Sequence, residues 1–217
     1  DKRFLNSPEF ETFPSWSPDG KWLYFSSAKP AGELPANNDK MKYSIFRVAF
    51  DENTALLGDS VECVIDAEKT NKTQLFARIS PDGKYLLYTE ADYGTFPIWH
   101  HEADLKMMDL QTKENLNVDI LNSSSVESYH SWSSNGRWIV FSSRRIDGLY
   151  TRLYLAYFDE KGNFHKPFLL PQSSADFDLL RMQSYNIPEF TKGATKISSR
   201  EIEKLLKGGT FPSKLRK

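Results

Sequence analysis

Two histidines and two carboxylates stand together in the segment Trp99–Asp104. Imidazole and carboxylate groups are ligands that divalent metals accept in proteins. Adjacent side chains of an extended segment point to opposite sides, however, so His100 and His101 are poorly arranged to share one ion. The alternative is a polar loop that packs against Trp99 and Tyr93. The sequence favours the loop, and it predicts neither a metal nor a cofactor.

Two arginines follow an apolar run that ends at Ser143. Guanidinium groups bind carboxylates and phosphates through paired hydrogen bonds. Arg144 and Arg145 are therefore candidates for binding an anion or a peptide. The alternative is that they form ion pairs within the protein, with Asp147 or Glu102.

The segment Glu127–Ser131 contains serine, histidine and acidic residues within five positions. Closeness in sequence is not the geometry of a catalytic triad, which is defined in space. The chain also lacks the Gly-x-Ser-x-Gly elbow that exposes a nucleophilic serine. Tyr129 and His130 are instead predicted to line a central channel or the core, and the chain is predicted not to be an enzyme.

These candidates are positioned by a repeat that occurs three times, at residues 13–27, 77–90 and 130–143. Each copy has two short apolar runs around a turn, which is Pro-Asp-Gly in the first two copies and Ser-Asn-Gly in the third. Proline presets φ, aspartate or asparagine bonds back to the backbone, and glycine accepts positive φ. Each copy is therefore predicted to be a β-hairpin.

The second strand of each hairpin is apolar on both faces, as in Trp22–Phe25 and Trp138–Phe141. A strand with two apolar faces is buried between two layers, and stacked propeller blades provide that environment. The turn residues Asp19 and Asp82 lie 63 positions apart, and Asp82 and Asn135 lie 53 apart. A four-stranded blade takes roughly 40–50 residues. The sequence therefore predicts an all-β propeller whose blades carry enlarged loops.

The motif Ser-Pro-Asp-Gly-Lys, followed by an aromatic residue, further apolar residues and Ser-Ser, resembles the TolB-like β-propeller repeat, a relative of WD-type repeats. The resemblance covers residues 13–171, and the third copy departs from the motif at Ser134-Asn135. It implies a propeller fold and a Gram-negative periplasmic location. It says little about activity.

The predicted blades are residues 13–66, 75–122 and 129–171 within a propeller region 1–171, and a C-terminal extension follows at 172–217. Within the extension, Ser198 and Glu201 predict a capped helix at 198–207. Three blades cannot close a ring, because closed propellers carry about 4–8. We expect the C-terminal half of a six-bladed propeller, with the missing half as a partner; the alternatives are pairing with a second copy of the chain and further blades outside this segment.

The composition narrows the classes of partner. There are 28 Lys and Arg against 29 Asp and Glu, so no basic bias indicates nucleic acid. Cys63 is the single cysteine, which excludes an intrachain disulfide, and nothing beside it in sequence would activate it as a nucleophile. No apolar run reaches the roughly 20 residues needed to span a bilayer.

Long insertions follow the second strand of each predicted blade, at residues 28–42, 91–103 and 144–150. Because propeller strands alternate in direction, these insertions should share one face, and long loops on a rigid scaffold usually carry function. We therefore predict non-catalytic binding of a protein or peptide there. The alternatives are a glycan or small-molecule module and the accessory propeller of a hydrolase. The candidate residues are Tyr93, Trp99, His100, His101, Arg144, Arg145 and Tyr150.

Overall fold

The computed structural model describes residues 7–33, 36–174, 176–194 and 196–208. Twelve strands lie within these ranges, and they form three separate four-stranded antiparallel sheets. Blade one contains β1 (Phe10–Trp16), β2 (Trp22–Ala28), β3 (Ser44–Asp51) and β4 (Leu56–Ile65). Blade two contains β5 (Thr73–Ile79), β6 (Tyr85–Ala91), β7 (Asp104–Asp109) and β8 (Asn115–Leu116). Blade three contains β9 (Glu127–Trp132), β10 (Trp138–Ser143), β11 (Arg152–Tyr157) and β12 (Phe168–Leu169).

Each sheet keeps its strands in chain order, so neighbouring strands are joined by hairpin connections. The predicted hairpins are β1–β2, β5–β6 and β9–β10, and all three pair in antiparallel register. In the second turn the carboxylate of Asp82 accepts the Lys84 N–H at 3.1 Å, and Gly83 has φ +76°. Asn135 accepts the Arg137 N–H in the same way, which explains why the third copy keeps the turn.

The core lies between the sheets, as the two-faced apolar strands predict. Side chains of blades one and two meet in one buried cluster, and those of blades two and three meet in another. β6 contributes to both, because Leu86 faces blade one and Leu87 faces blade three. The middle blade is thus buried on both sides.

The innermost strand of every blade carries the same bulge. Phe13, Phe76 and Tyr129 have φ of 52°, 58° and 52°, and each lies where the pairing register with the second strand shifts. The bulge turns the aromatic rings toward one another. The Phe13 and Phe76 ring centroids are 4.0 Å apart, and those of Phe76 and Tyr129 are 5.0 Å apart. The three inner strands therefore converge on one line, as the blades of a propeller do.

Three short α-helices, α1 (Ala67–Thr70), α2 (Phe177–Leu180) and α3 (Ser199–Lys207), lie in the described residues together with three 3₁₀ helices, Asn38–Lys40, Pro97–Trp99 and Asp119–Leu121. The predicted capping box of α3 is confirmed, since Ser198 accepts the Glu201 N–H and Glu201 accepts the Ser198 N–H. α1 joins the first two blades and was not predicted. Residues 209–217, the end of the predicted extension, lie outside the described residues.

Candidate functional site

The loops between the second and third strands of the three blades lie side by side on one face. Their described residues are 29–33, 36–43, 92–103 and 144–151, and we call their outer side the long-loop surface. The first two loops are joined by a hydrogen bond of 2.8 Å from the Gly94 N–H to the Met41 carbonyl. The second and third approach at Gly148, where an added Cβ would lie 3.9 Å from His101 Cε1. The predicted gathering of the insertions is thus observed.

Trp99 and Arg144 form the centre of this surface. Trp99 ends a short 3₁₀ helix, Pro97–Trp99, whose other two residues are buried and fix its position. The Arg144 guanidinium carbon lies 4.1 Å from the centroid of the Trp99 ring, within cation–π distance. The indole remains 72% exposed, whereas Arg144 is only 9% exposed. A large flat ring is therefore presented to solvent on a buried cationic support.

The Arg144 guanidinium is incompletely paired. Its Nε atom is buried and has no hydrogen-bond partner among the described residues. Burial lowers the pKa of Arg144, yet an arginine side chain stays protonated in proteins. An incoming carbonyl or carboxylate group would therefore meet the terminal Nη atoms of Arg144, because the Nε atom is buried.

His100 and His101 diverge, as expected for neighbours in an extended segment. The His100 and Tyr93 rings pack in a T-shaped pair with centroids 4.6 Å apart, and His100 Nδ1 lies 3.0 Å from the Glu102 carboxylate. His101 is exposed on the side of Gly148. Among the residues that the structure describes, no group of three or more His, Cys, Asp or Glu side chains is placed to hold a metal ion.

Arg145 points into the protein rather than onto the surface. Its guanidinium donates to the buried carboxylate of Glu127 at 2.9 Å and lies 4.5 Å from the Tyr154 ring centroid. The same carboxylate accepts hydrogen bonds from the N–H and hydroxyl of Ser123 at 2.9 and 2.7 Å and from the Ser143 hydroxyl at 2.7 Å. Burial is the main cause that raises the pKa of Glu127. Arg145 thus stabilises the start of blade three, where Glu127 is the first residue of β9.

Tyr129 and His130 lie at the centre of the molecule. Tyr129 belongs to the line of inner-strand aromatic rings, whereas His130 is 1% exposed and lies in the core. The His130 Nε2 atom lies 3.0 Å from the Leu87 carbonyl oxygen. Burial lowers its pKa from 6.5 to about 3. Tyr150, in the third loop, lies beside the Arg152 guanidinium at 5.2 Å.

Sequence reasoning missed two residues of the long-loop surface. Phe96 is 60% exposed and Leu149 is 68% exposed, and they belong to the loops that carry Trp99 and Arg144. The sequence already indicated their exposure, because an isolated apolar residue in a polar insertion has no predicted core in which it could be buried. Apolar groups therefore accompany the central Trp99–Arg144 pair.

The comparisons with known proteins concern the fold. No protein-family model matches the sequence, and no curated protein matches it either. Among solved structures, a puromycin-hydrolyzing peptidase of Mycobacterium tuberculosis matches with a TM-score of 0.51 and 10% identity, over 76% of this chain and 24% of its own. TolB from Acinetobacter baumannii matches with a TM-score of 0.43 and 19% identity, over 73% and 32%. The β-propeller domain of the Trilobed protease from Pyrococcus furiosus matches with a TM-score of 0.42 and 18% identity, over 76% and 44%.

This chain therefore spans less than half the length of each of these proteins. The three four-stranded sheets with their strands in chain order confirm the predicted propeller blades, and the match at a TM-score of 0.51 is a likeness of fold alone. Within the described part of the chain, no helix is long and apolar enough to cross a bilayer.

Proposed function

We propose that this chain is a non-catalytic binding propeller whose long-loop surface holds a protein or a peptide. The observation that carries the proposal is the exposed Trp99 ring on the buried Arg144 side chain. Tryptophan and arginine are the residues most enriched among energetic hot spots of protein interfaces. Because the ring is already fixed, little conformational entropy is lost when a partner covers it.

The surface indicates the chemistry of the partner. An apolar or aromatic group would lie on the Trp99 ring, with Phe96 and Leu149 exposed on the same loops, and an acceptor would meet the terminal Nη donors of Arg144. A peptide backbone or an acidic side chain supplies such an acceptor. A partner with an apolar anchor next to a carbonyl or carboxylate fits this surface.

The serine and histidine residues at the start of blade three support a binding role rather than catalysis. His130 is buried against the Leu87 carbonyl, and the Ser128 hydroxyl is 3.3 Å from the Thr89 hydroxyl. Both side chains are occupied by packing contacts between blades two and three. A general base must reach the proton that it abstracts, which the burial of His130 opposes.

A sugar-binding platform is favoured less by the aromatic geometry. The Tyr93 ring packs against His100, and Tyr150 lies beside Arg152. Trp99 is thus the one well-exposed ring among the three aromatic residues predicted for this face. A flat sugar ring would have a single stacking partner, whereas a peptide would also use the apolar and cationic neighbours.

The test is selection of a displayed random peptide library on the purified chain, with a glycan array in parallel. We expect peptides that pair an apolar residue with an acidic one, and enrichment should disappear on Trp99→Ala. Trp16→Ala is the matched control, because Trp16 is a 51% exposed tryptophan outside the three long loops. Enrichment that survives Trp99→Ala, or binding seen on the glycan array alone, would contradict the proposal.

We also infer a Gram-negative periplasmic location, which rests on the TolB-like resemblance of the repeats. Subcellular fractionation of the source cells, with antibody detection, should find the protein in the periplasmic fraction. Detection in the cytoplasmic fraction alone would contradict this location and would leave the binding proposal untouched.

A further inference from the structure

Residues 185–190 run along the outward side of blade three without belonging to its sheet. The Tyr185 N–H donates to the Thr151 carbonyl at 3.1 Å, and the Ser142 hydroxyl donates to the Asn186 carbonyl at 3.2 Å. Pro188 is buried. Nothing in a polar extension requires such a specific path, and the two blade junctions show related contacts.

The first contact repeats at both junctions. In each blade, the residue just before the third strand uses its carbonyl to accept an N–H from the segment that follows the blade. The three N–H···O pairs are Gln74 to Tyr43 at 2.8 Å, Glu127 to Ala103 at 2.8 Å and Tyr185 to Thr151 at 3.1 Å. In the first two cases the donor belongs to the innermost strand of the next blade.

The second contact repeats as well. The fifth residue of each second strand is a serine or threonine, and its hydroxyl reaches the segment that follows. Ser26 donates to the Gln74 carbonyl at 3.2 Å, Thr89 meets the Ser128 hydroxyl at 3.3 Å, and Ser142 donates to the Asn186 carbonyl at 3.2 Å. Asn186 thus takes the position of Ser128 in β9, whereas the Ser26 contact reaches Gln74, one position earlier in β5.

The end of the segment completes the pattern. The last two residues of β1, β5 and β9 line a common cavity of about 510 Å³, and Glu189 and Phe190 line it too. Glu189 pairs with Arg78 at 3.2 Å. The four pairs that meet there are Ser15-Trp16, Arg78-Ile79, Ser131-Trp132 and Glu189-Phe190. Counting back from this cavity aligns Tyr185 with Gln74 and Glu127, in agreement with the first contact.

We infer that residues 185–190 hold the place of the innermost strand of a fourth blade, and that their free edge with the outward side of blade three forms a docking surface. Its occupant is a three-stranded antiparallel sheet that lacks an innermost strand. At each existing junction, a complete four-stranded blade makes these contacts through its innermost strand. Residues 185–190 already take the place of that strand, so the occupant supplies the other three strands.

The outward side of blade three carries apolar residues, which packing against another sheet requires. Tyr154 and Ala156 of β11 face blade two, so the alternate residues Leu153, Leu155 and Tyr157 face outward. All three are partly exposed. Within the described residues, no strand pairs with 185–190, so their backbone groups on the free edge are available for antiparallel pairing.

The experiment inserts a second copy of residues 80–122 between Phe190 and Thr191 of the full chain. Because Phe190 corresponds to Ile79, this insertion supplies strands two to four of a blade in register. The control carries one additional alanine before the inserted copy, which shifts the strand register by one residue and turns the apolar side chains to the wrong face. Both variants have the same added composition apart from that alanine.

We expect the in-register variant to unfold in one transition with a urea m-value about one fifth larger than that of the parent, since 43 residues are added to 217 and m follows the surface exposed on unfolding. Amide exchange at residues 185–190 should slow at least tenfold. Equal behaviour of the two insertions, or separate unfolding of the inserted segment, would overturn the inference. Concentration-dependent dimerisation of the parent, abolished by Leu155→Glu, would replace the inferred sheet with a second copy of the chain.

Discussion

Acid should destabilise the folded chain through His130. The imidazole is buried, its Nε2 atom faces the Leu87 carbonyl at 3.0 Å, and its Nδ1 atom has no partner among the described residues. Nε2 must carry the proton in that contact, so Nδ1 is the site that would be protonated in acid. Burial of that charge lowers the pKa from 6.5 to about 3, and the nearby Arg78 adds to the effect.

The size of the effect follows from linkage. A base with a lowered folded pKa binds protons mainly in the unfolded state, so stability falls as the pH falls below 6.5. Each pH unit costs about 1.4 kcal/mol between the two pKa values. From pH 7 to pH 5 the free energy of unfolding should therefore fall by about 2 kcal/mol on account of His130 alone.

The assay is urea denaturation of the parent and of His130→Gln at pH 7 and pH 5. Glutamine does not titrate, so the variant should lose about 2 kcal/mol less than the parent over this interval. A loss of packing energy in His130→Gln that is the same at both pH values cancels, because the change in unfolding free energy from pH 7 to pH 5 is taken separately for each protein. If both proteins lose the same free energy, His130 is not buried in neutral form and the placement of β9 against β6 is wrong.

Three further predictions concern other parts of the fold. Glu127→Ala should cost about 3–5 kcal/mol in urea denaturation, because it removes the carboxylate that pairs with Arg145 and accepts from the Ser123 and Ser143 hydroxyls, whereas Glu127→Gln should cost less, since Gln74 is the matching residue of blade two. Burial raises the pKa of Glu127, so the free energy of unfolding should fall as the pH rises from 4.5 through the folded value, and Glu127→Gln should remove that fall; a Gln variant with the same pH profile as the parent would contradict this. Gly83→Ala should cost about 1 kcal/mol from backbone strain alone, because φ is +76° and an added Cβ meets nothing within 4 Å; an unchanged urea midpoint would argue against that turn. Arg152→Lys should speed amide exchange at Tyr185, because the buried guanidinium donates to the carbonyls of Asp178, Arg181 and Gln183; unchanged exchange would show that these contacts do not hold the segment.

The hairpins were predictable because their signals are local. A Pro-Asp-Gly or Asn-Gly turn and a two-faced apolar strand require no knowledge of distant residues, and the same holds for the capping box at Ser198. The bulge was not predictable from propensity. A positive φ at Phe13, Phe76 and Tyr129 is unfavourable for an aromatic residue by itself, and it is stabilised by the ring contacts between blades.

The positions of some residues of the long-loop surface were also predictable, because their signals are local. Loop lengths placed Trp99 and Arg144 on one face, and the alternation rule separated His100 from His101. The inward turn of Arg145 depends on Glu127, which lies 18 residues earlier and enters through a different strand. The path of residues 185–190 depends on contacts with Thr151 and Ser142 that no local pattern encodes.

The affinity of a selected peptide for three versions of the chain tests the binding surface most directly. Titration calorimetry should give a dissociation constant at least about 30-fold weaker for Trp99→Ala than for the parent, as a hot-spot loss of about 2 kcal/mol implies. The constant for Trp16→Ala should stay within about twofold of the parent, because it lies outside the surface. Equal affinity of Trp99→Ala and the parent would contradict the proposed function.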